Sequence, residues 1–389
     1  MRRAAFLDAF ECLGDKCEDT CCKGWGMQLD PARLSLYQKE APELLDAVTS
    51  GEAEHIMRRD PVTDACVKLE GGWCGIHKSR GTEFLGDACY FYPRITRAFG
   101  NDTYMTAALS CPEVVRLALY GEKDPFPWKE TVTTRVPVEM KDYKPDALTS
   151  EEARAVMEAF LQAAGDGTAT PERIMIRLVN AAQSLMTITE KDWPQAVGFL
   201  LRIADTKLLP PEGNDTDPYR LVNILVGLIA ASKKTNRPRL DEVVERMEKA
   251  LQIRIDRVAL TITSATRTPD AHVGLEKRWG VKAASALAPM LRRWIQAELS
   301  MMAFPFAGFG ADMRERIAFI AIRFATLRLA LMCHMSDDTP PDAGTVVKIV
   351  QSLSRFLDHL ADPTFSRMAY TEAGWFLESR LRALVGDAG

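Results

Sequence analysis

The stretch CEDTCCKGW, residues 17–25, places three cysteines within six positions, and Cys12 lies just upstream. Eight of the nine cysteines in the 389-residue chain come before residue 112, and only Cys333 lies outside that segment. Thiolates are soft ligands that favour zinc or iron–sulfur clusters over calcium or magnesium. The clustering therefore predicts that the first third of the chain folds around a metal site rather than around a large apolar core.

The overall composition is that of a globular protein, with 47% hydrophobic, 26% charged and 8% aromatic residues. The formal net charge of -4 provides no broad basic field, so we expect no nucleic-acid partner. No window approaches the 18 apolar residues of a membrane span, so no membrane partner is expected. The first ten residues, MRRAAFLDAF, have too short an apolar run for a signal peptide.

These features predict a cytoplasmic protein, and the cytoplasm keeps thiols reduced. Clustered cysteines in that compartment indicate metal ligands or redox groups rather than a disulfide framework. Four thiolates are enough for one [4Fe–4S] cluster or one tetrahedral zinc ion. The spacing alone does not distinguish iron from zinc.

The composition changes along the chain and predicts three parts. Residues 1–120 form a cysteine-rich metal-binding domain of short helices and loops, residues 121–148 form a Pro-rich connector, and residues 149–389 form an all-helical domain. The fold class is therefore mainly α, with an irregular multi-helix bundle or superhelix after the cysteine-rich domain.

Helical periodicity and breaker residues locate the helices of this fold. Thr149 and Glu152 have the spacing of a capping box at the start of one of them, and residues 131–138 of the connector have the composition of a short strand. Helices are predicted near residues 31–50, 150–164, 171–188, 193–205, 217–232, 239–265, 281–301, 312–335, 342–361 and 364–385.

Four motifs in order give the cysteine-rich segment a recognisable pattern. They are CEDTCCKGWGMQLD at 17–30, CVKLEGGWCGIH at 66–77, GDACYFYPR at 86–94 and LSCPEVVRLAL at 109–119. Together they resemble the flagellin lysine-N-methylase (FliB-type) family. The cysteine pattern is also similar to that of the YkgJ-type zinc- or iron-chelating proteins.

The resemblance implies transfer of a methyl group from S-adenosylmethionine to lysine side chains of flagellin or another protein substrate. It also implies a [4Fe–4S] cluster, for which zinc is the alternative metal. The resemblance implies that the ligands of the cluster are among eight cysteines. Within this set, residues 17, 21, 22 and 89 are the four that we expect to bind it. The set is Cys12, Cys17, Cys21, Cys22, Cys66, Cys74, Cys89 and Cys111.

Candidate catalytic residues lie beside these cysteines, because methyl transfer needs a neutral lysine amine and hence a nearby proton acceptor. They are Arg94, Tyr92, Glu113 and Asp30. Asp30 also suits a helix N-cap, and Glu113 suits the first turn of a helix. Arg94 is a candidate for binding the cofactor carboxylate or cluster sulfides, and Trp25 for covering the cofactor site from solvent.

The residues permit other readings. The chain lacks a strand followed by a glycine-rich turn and a helix, the usual nucleotide-binding pattern. One alternative is a zinc- or iron-binding structural or interaction module without methyltransferase activity. Another is a redox protein whose cluster carries electrons and takes no part in methyl transfer.

Overall fold

A computed structural model gives the architecture of most of the chain. The described residues are 1–50, 55–100, 102–122, 126–132, 135, 143–203, 237–256, 258, 261–264, 268–358, 367–368, 370–371, 374–376 and 378–386. No helix among them is long and apolar enough to cross a membrane.

A four-stranded sheet, absent from the sequence prediction, organises much of the N-terminal segment. Its strands are β1 (Arg2–Ala4), β6 (Arg94–Phe99), β7 (Asp102–Ala107) and β8 (Trp128–Glu130), in the order β6-β7-β1-β8. β6 and β7 form an antiparallel hairpin, while β1 runs parallel to β7 and antiparallel to β8. Gly100, with φ 58°, lies in the hairpin turn, a conformation that favours glycine.

The cysteine-rich segment otherwise consists of short elements, as expected. Four hairpin strands of two or three residues and three helices of five to ten residues follow one another before the sheet hairpin. They are α1 (Pro31–Glu40), β2 (Val48–Ser50), β3 (His55–Met57), β4 (Leu69–Glu70), β5 (Trp73–Cys74), α2 (Gly75–Arg80) and α3 (Asp87–Phe91).

The prediction of one helix over residues 31–50 is wrong in its second half. Helix α1 ends at Glu40, and a 3₁₀ helix (Pro42–Ala47) and β2 follow it. Pro42 has no N–H to continue the helix, and it disfavours helical backbone at Ala41, which has φ −150° and ψ 56°.

Helices dominate the remaining described residues, so the mainly α fold class is confirmed. They are α4 (Pro112–Tyr120), α5 (Ser150–Ala164), α6 (Pro171–Leu185), α7 (Trp193–Ile203), α8 (Pro238–Leu251), α9 (Thr268–Met301), α10 (Met313–Cys333), α11 (Ala343–Leu357) and α12 (Glu378–Val385). The predicted capping box begins α5, with the Glu152 N–H donating to Thr149 and the Thr149 N–H donating to Glu152.

Two predicted helices differ from the structure. The helix predicted over 239–265 ends at Leu251, where Gln252 takes a left-handed conformation with φ 55°. A hairpin of β9 (Arg254–Asp256) and β10 (Thr261–Ser264) follows, in a stretch rich in β-branched residues. α9 starts before the predicted 281–301 helix and is kinked at Gly280, so the part after the kink matches the prediction.

Some predictions lie outside the described residues. These are the helix at 217–232, most of the connector strand at 131–138, and part of the helix at 364–385. The described part of the last one is not a single helix, because residues 374–376 form a turn, Gly374 has φ 68°, and α12 begins only at Glu378. Thr131 and Val132 are described and lie just after β8 rather than in a strand.

Two groups of buried apolar residues form the cores. The smaller one contains eleven buried residues between Cys22 and Leu85, including the fully buried Tyr37. The larger one combines β1, the β6–β7 hairpin and α4 with the later helices. The predicted domain boundary near residue 120 stays a prediction, and apolar residues from both sides of it share the larger core.

Candidate metal centre

A cavity of about 410 Å³ opens between the cysteine-rich segment, the start of β6, α4 and α11. Seven of the eight N-terminal cysteines line it, although they come from five separate parts of the sequence. We call it the thiol cavity. Its cysteines are Cys12, Cys17, Cys21, Cys22, Cys74, Cys89 and Cys111. Cys66 is not in the lining, but its N–H donates to the Cys22 carbonyl at 2.8 Å.

Short structural elements position these thiols. Cys74 is the N-cap of α2, Cys111 is the N-cap of α4, and Cys89 lies within α3. Cys17 ends a 3₁₀ helix, Gly14–Lys16. The partial positive charge at a helix N-terminus stabilises a nearby thiolate, so the two capping positions suit anionic sulfur.

Five of the cysteine sulfurs accept hydrogen bonds from backbone N–H groups two residues further along the chain. The pairs are Cys12 with Gly14, Cys17 with Asp19, Cys66 with Lys68, Cys74 with Ile76, and Cys111 with Glu113. Hydrogen bonds of this kind stabilise the negative sulfur that a metal requires and tune the potential of iron–sulfur clusters.

Three of the thiols are in mutual contact. Cys22 donates to the sulfurs of Cys21 and Cys74, which lowers the pKa of Cys21 and lowers the pKa of Cys74 to about 6. The same hydrogen bonds raise the pKa of Cys22. Because a thiolate is the metal-binding form, this contact favours anionic sulfur on Cys21 and Cys74.

Burial has the opposite effect on two other thiols in the lining. It raises the pKa of Cys89 and raises the pKa of Cys111 to about 12. A bound cation removes that penalty, because a coordinating thiol is deprotonated outright.

The donor set suits a metal cluster. All nine cysteines are free thiols, so no disulfide competes for them. Trp73 lines the cavity, and its Nε1 is buried with no hydrogen-bond partner among the described residues. The Trp73 ring lies 3.0 Å from where a Cβ on Gly14 would be. Within the described ranges, no three His, Cys, Asp or Glu side chains converge tightly enough for a single ion.

The aromatic candidates lie at the cavity. Trp25 lines it and donates from Nε1 to the Cys21 carbonyl at 2.6 Å. Its ring centroid is 6.0 Å from that of Tyr92. The Tyr92 hydroxyl lies 3.2 Å from Ser110 Oγ, and burial raises the pKa of Tyr92 so that the phenol is neutral.

Of the charged candidates, Arg94 and Glu113 line the cavity and Asp30 does not. Arg94 stacks over the Phe10 ring, 5.1 Å from its centroid, and burial lowers the pKa of its guanidinium. Glu113 accepts a hydrogen bond from Arg116 at 3.0 Å. Asp30 is the N-cap of α1, and its carboxylate accepts the N–H groups of Arg33 and Asp87.

The sequence reasoning missed Arg355 and Asp19, which line the cavity together. Arg355 extends from α11 and donates to the Asp19 carboxylate and, at 2.7 Å, to the Lys23 carbonyl. Burial alone disfavours the cation, but Asp19 and nearby groups raise the pKa of Arg355. Asp19 sits inside the cysteine motif, whereas no local signal marks Arg355.

The structure is that of a mainly α protein with seven thiols gathered at one cavity. Comparison with known proteins shows which proteins the chain resembles. The chain is 27% identical over 123 residues to a lysine-N-methylase of Salmonella typhimurium, and this covers 28% of the chain and 30% of that protein. The figures are the same for a lysine-N-methylase of Salmonella choleraesuis. The flagellar biosynthetic protein FliU of Salmonella muenchen is 26% identical over 139 residues, 31% of this chain and 82% of that protein.

These similarities support a relationship to lysine-N-methylases at low identity. The chain spans about 30% of the length of the lysine-N-methylases that it matches. No family model matches the chain, and no solved structure matches it. The similarity to YkgJ-type proteins stays a prediction.

Proposed function

We propose that the chain is an S-adenosylmethionine-dependent protein lysine N-methyltransferase whose thiol cavity holds a [4Fe–4S] cluster, with flagellin as the protein substrate. The observation that carries the proposal is the gathering of seven thiols around one cavity, with Tyr92, Arg94 and Glu113 in the same lining. The names of the partial relatives support lysine methylation and a flagellar substrate.

The cluster ligands would come from the cysteines of the thiol cavity. When bound, the cluster supplies a Lewis-acidic iron and links segments of chain that are far apart in sequence. Arg94 lies close enough to Cys12 and Cys111 to interact with their charges. Among the described residues Arg94 forms no ion pair with a carboxylate, so its guanidinium is available to offset thiolate or sulfide charge.

The acceptor lysine needs to lose a proton before it attacks a methyl group, because its ordinary pKa is about 10.4. Glu113 lines the cavity, and we assign to its carboxylate the attraction of the ammonium group and the acceptance of its proton. Tyr92 is neutral and lines the cavity, so its hydroxyl is suited to orient the free amine by a hydrogen bond. Trp25 and Tyr92 would also exclude water from the reacting nitrogen.

A methylation assay with purified flagellin tests this proposal. Radiolabelled S-adenosylmethionine is supplied, and methyl-lysine is identified by mass spectrometry. Replacement of Cys17, Cys21 and Cys22 by serine is expected to abolish both the bound iron and methylation. Cys333→Ser is the matched control, because Cys333 is buried in α10 and does not line the cavity.

The two readouts separate the parts of the proposal. Loss of iron with full methylation in the triple variant would refute the cluster-dependent mechanism. Absence of methylation by the iron-loaded wild-type protein on flagellin would refute the assigned substrate.

A further inference from the structure

A second cavity, of about 300 Å³, adjoins the thiol cavity. It lies between the first cysteine motif and the helices α8 and α11, and Cys17, Asp19 and Arg355 line both cavities. A ligand that fills the second cavity therefore reaches the edge of the thiol cavity. We call it the arginine pocket.

The arginine pocket has a surplus of positive charge. Its cations are Lys23, Arg237, Arg239 and Arg355, and its carboxylates are Glu18 and Asp19, which leaves four minus two, or two, positive charges. Both carboxylates already have partners. Asp19 accepts from Arg355 and Gln351, and Glu18 accepts from Arg116.

Among the described residues, two donors at this pocket have no acceptor. Within that part of the chain, the Nε of Arg237 is buried without a hydrogen-bond partner, and so is the hydroxyl of Ser352, a residue that is only 3% exposed. Arg237 donates from Nη1 to the Arg355 carbonyl at 3.0 Å. In the part of the chain that the structure describes, it forms no ion pair. Leaving such groups unsatisfied is costly, and native structures rarely do so without a reason.

A carboxylate has the acceptor capacity that both donors lack. Its two oxygens accept from a guanidinium in a fork and have lone pairs left for a hydroxyl. It also neutralises part of the surplus charge. The rest of such a ligand would extend past Cys17 and Arg355 into the thiol cavity.

We infer that the arginine pocket binds the carboxylate of a small amino-acid-type ligand through Arg237 and Ser352. Under the proposed function, on which this identification rests, that group is the α-carboxylate of the methyl donor. Arg94, which lines the thiol cavity but not the arginine pocket, then serves the cluster rather than the donor carboxylate.

Calorimetric titration of the metal-loaded protein tests the inference with two probes. S-adenosylhomocysteine carries the carboxylate, and 5′-methylthioadenosine lacks the whole amino-acid end. Arg237→Gln is expected to weaken S-adenosylhomocysteine binding at least about tenfold and Ser352→Ala about threefold. Neither variant is expected to change binding of 5′-methylthioadenosine.

Arg292→Gln is the matched control, because this half-buried arginine donates to the Ala169 carbonyl and lines neither cavity. It is expected to bind both probes as the wild type does. Thermal unfolding establishes that each variant is folded. If Arg237→Gln does not fold, Ser352→Ala and Arg237→Lys test the inference instead. Lysine keeps the positive charge but lacks the paired N–H donors of the guanidinium.

The outcomes distinguish the inference from the function on which it rests. Wild-type affinity for S-adenosylhomocysteine in Arg237→Gln and Ser352→Ala overturns the inference and leaves the proposed function standing. The inference is likewise overturned, with the proposed function still standing, if Arg94→Gln is the one variant that abolishes the preference for S-adenosylhomocysteine over 5′-methylthioadenosine. Failure of the wild-type protein to bind either probe overturns the proposed methyl donor and the inference together.

Discussion

Arg355 links α11 to the first cysteine motif, so its replacement tests whether the helices support the thiol cavity. Arg355 is 8% exposed and donates to Asp19 and to the Lys23 carbonyl. Arg355→Leu removes both contacts and leaves the Asp19 carboxylate with Gln351 as its remaining side-chain partner. Removing one partner of a buried pair costs about 3–5 kcal/mol. Because the Asp19 side chain is 22% exposed, water offsets part of that cost, and we expect a loss of about 3 kcal/mol.

Equilibrium urea unfolding measures this free energy. Asp19→Asn with Arg355→Leu is expected to cost less than the sum of the single changes, since the two residues are in contact. Arg314→Leu is the matched control, because its guanidinium is 57% exposed and pairs with Asp312 at the surface. That control is expected to change the unfolding free energy by less than about 1 kcal/mol. If Arg355→Leu loses no more stability than the control, the buried link does not support the fold as argued.

Two further predictions concern the helical core. Burial, with a contribution from Asp358, raises the pKa of Glu298 from its usual 4.5 to about 7. The folded chain therefore holds the Glu298 proton more tightly than the unfolded chain does. The stabilisation of the fold by this protonation is complete below about pH 4.5 and is lost as pH rises through about 7. Glu298→Gln is expected to flatten this fall in urea unfolding at a series of pH values, and an unchanged pH profile would contradict the assignment. Phe160 is fully buried, with its ring centroid 4.8 Å from that of Phe304. Phe160→Ala is expected to cost about 3–5 kcal/mol without changing the metal content, and a parallel loss of metal would show that the two regions are coupled.

Local signals in the sequence were sufficient to predict much of the helical half. The capping box of Thr149 and Glu152 forms as expected, because both partners lie within one turn. The Asp30-Pro31 pair likewise begins α1. Failures came where a local pattern was extended too far, as past Pro42 and past Gln252, where proline chemistry or a left-handed residue ends the helix.

Long-range contacts were not predictable from the sequence. β1 is only three residues long and pairs with β7, about a hundred positions later, so it has no periodicity to detect. Arg355 reaches Asp19 across 336 positions. The cysteines could be picked out as a set because that depends on residue type and clustering, and seven of them line one cavity. The cations around them depend on how distant helices pack.

The decisive test of a [4Fe–4S] cluster in the thiol cavity is the metal and sulfide content of protein purified without oxygen. The account predicts about four irons and a similar amount of inorganic sulfide per chain, with broad visible absorption. It also predicts that adding S-adenosylmethionine alters the electron paramagnetic resonance signal of the reduced protein. A colourless protein with one tightly bound zinc ion and no response to S-adenosylmethionine would contradict the account.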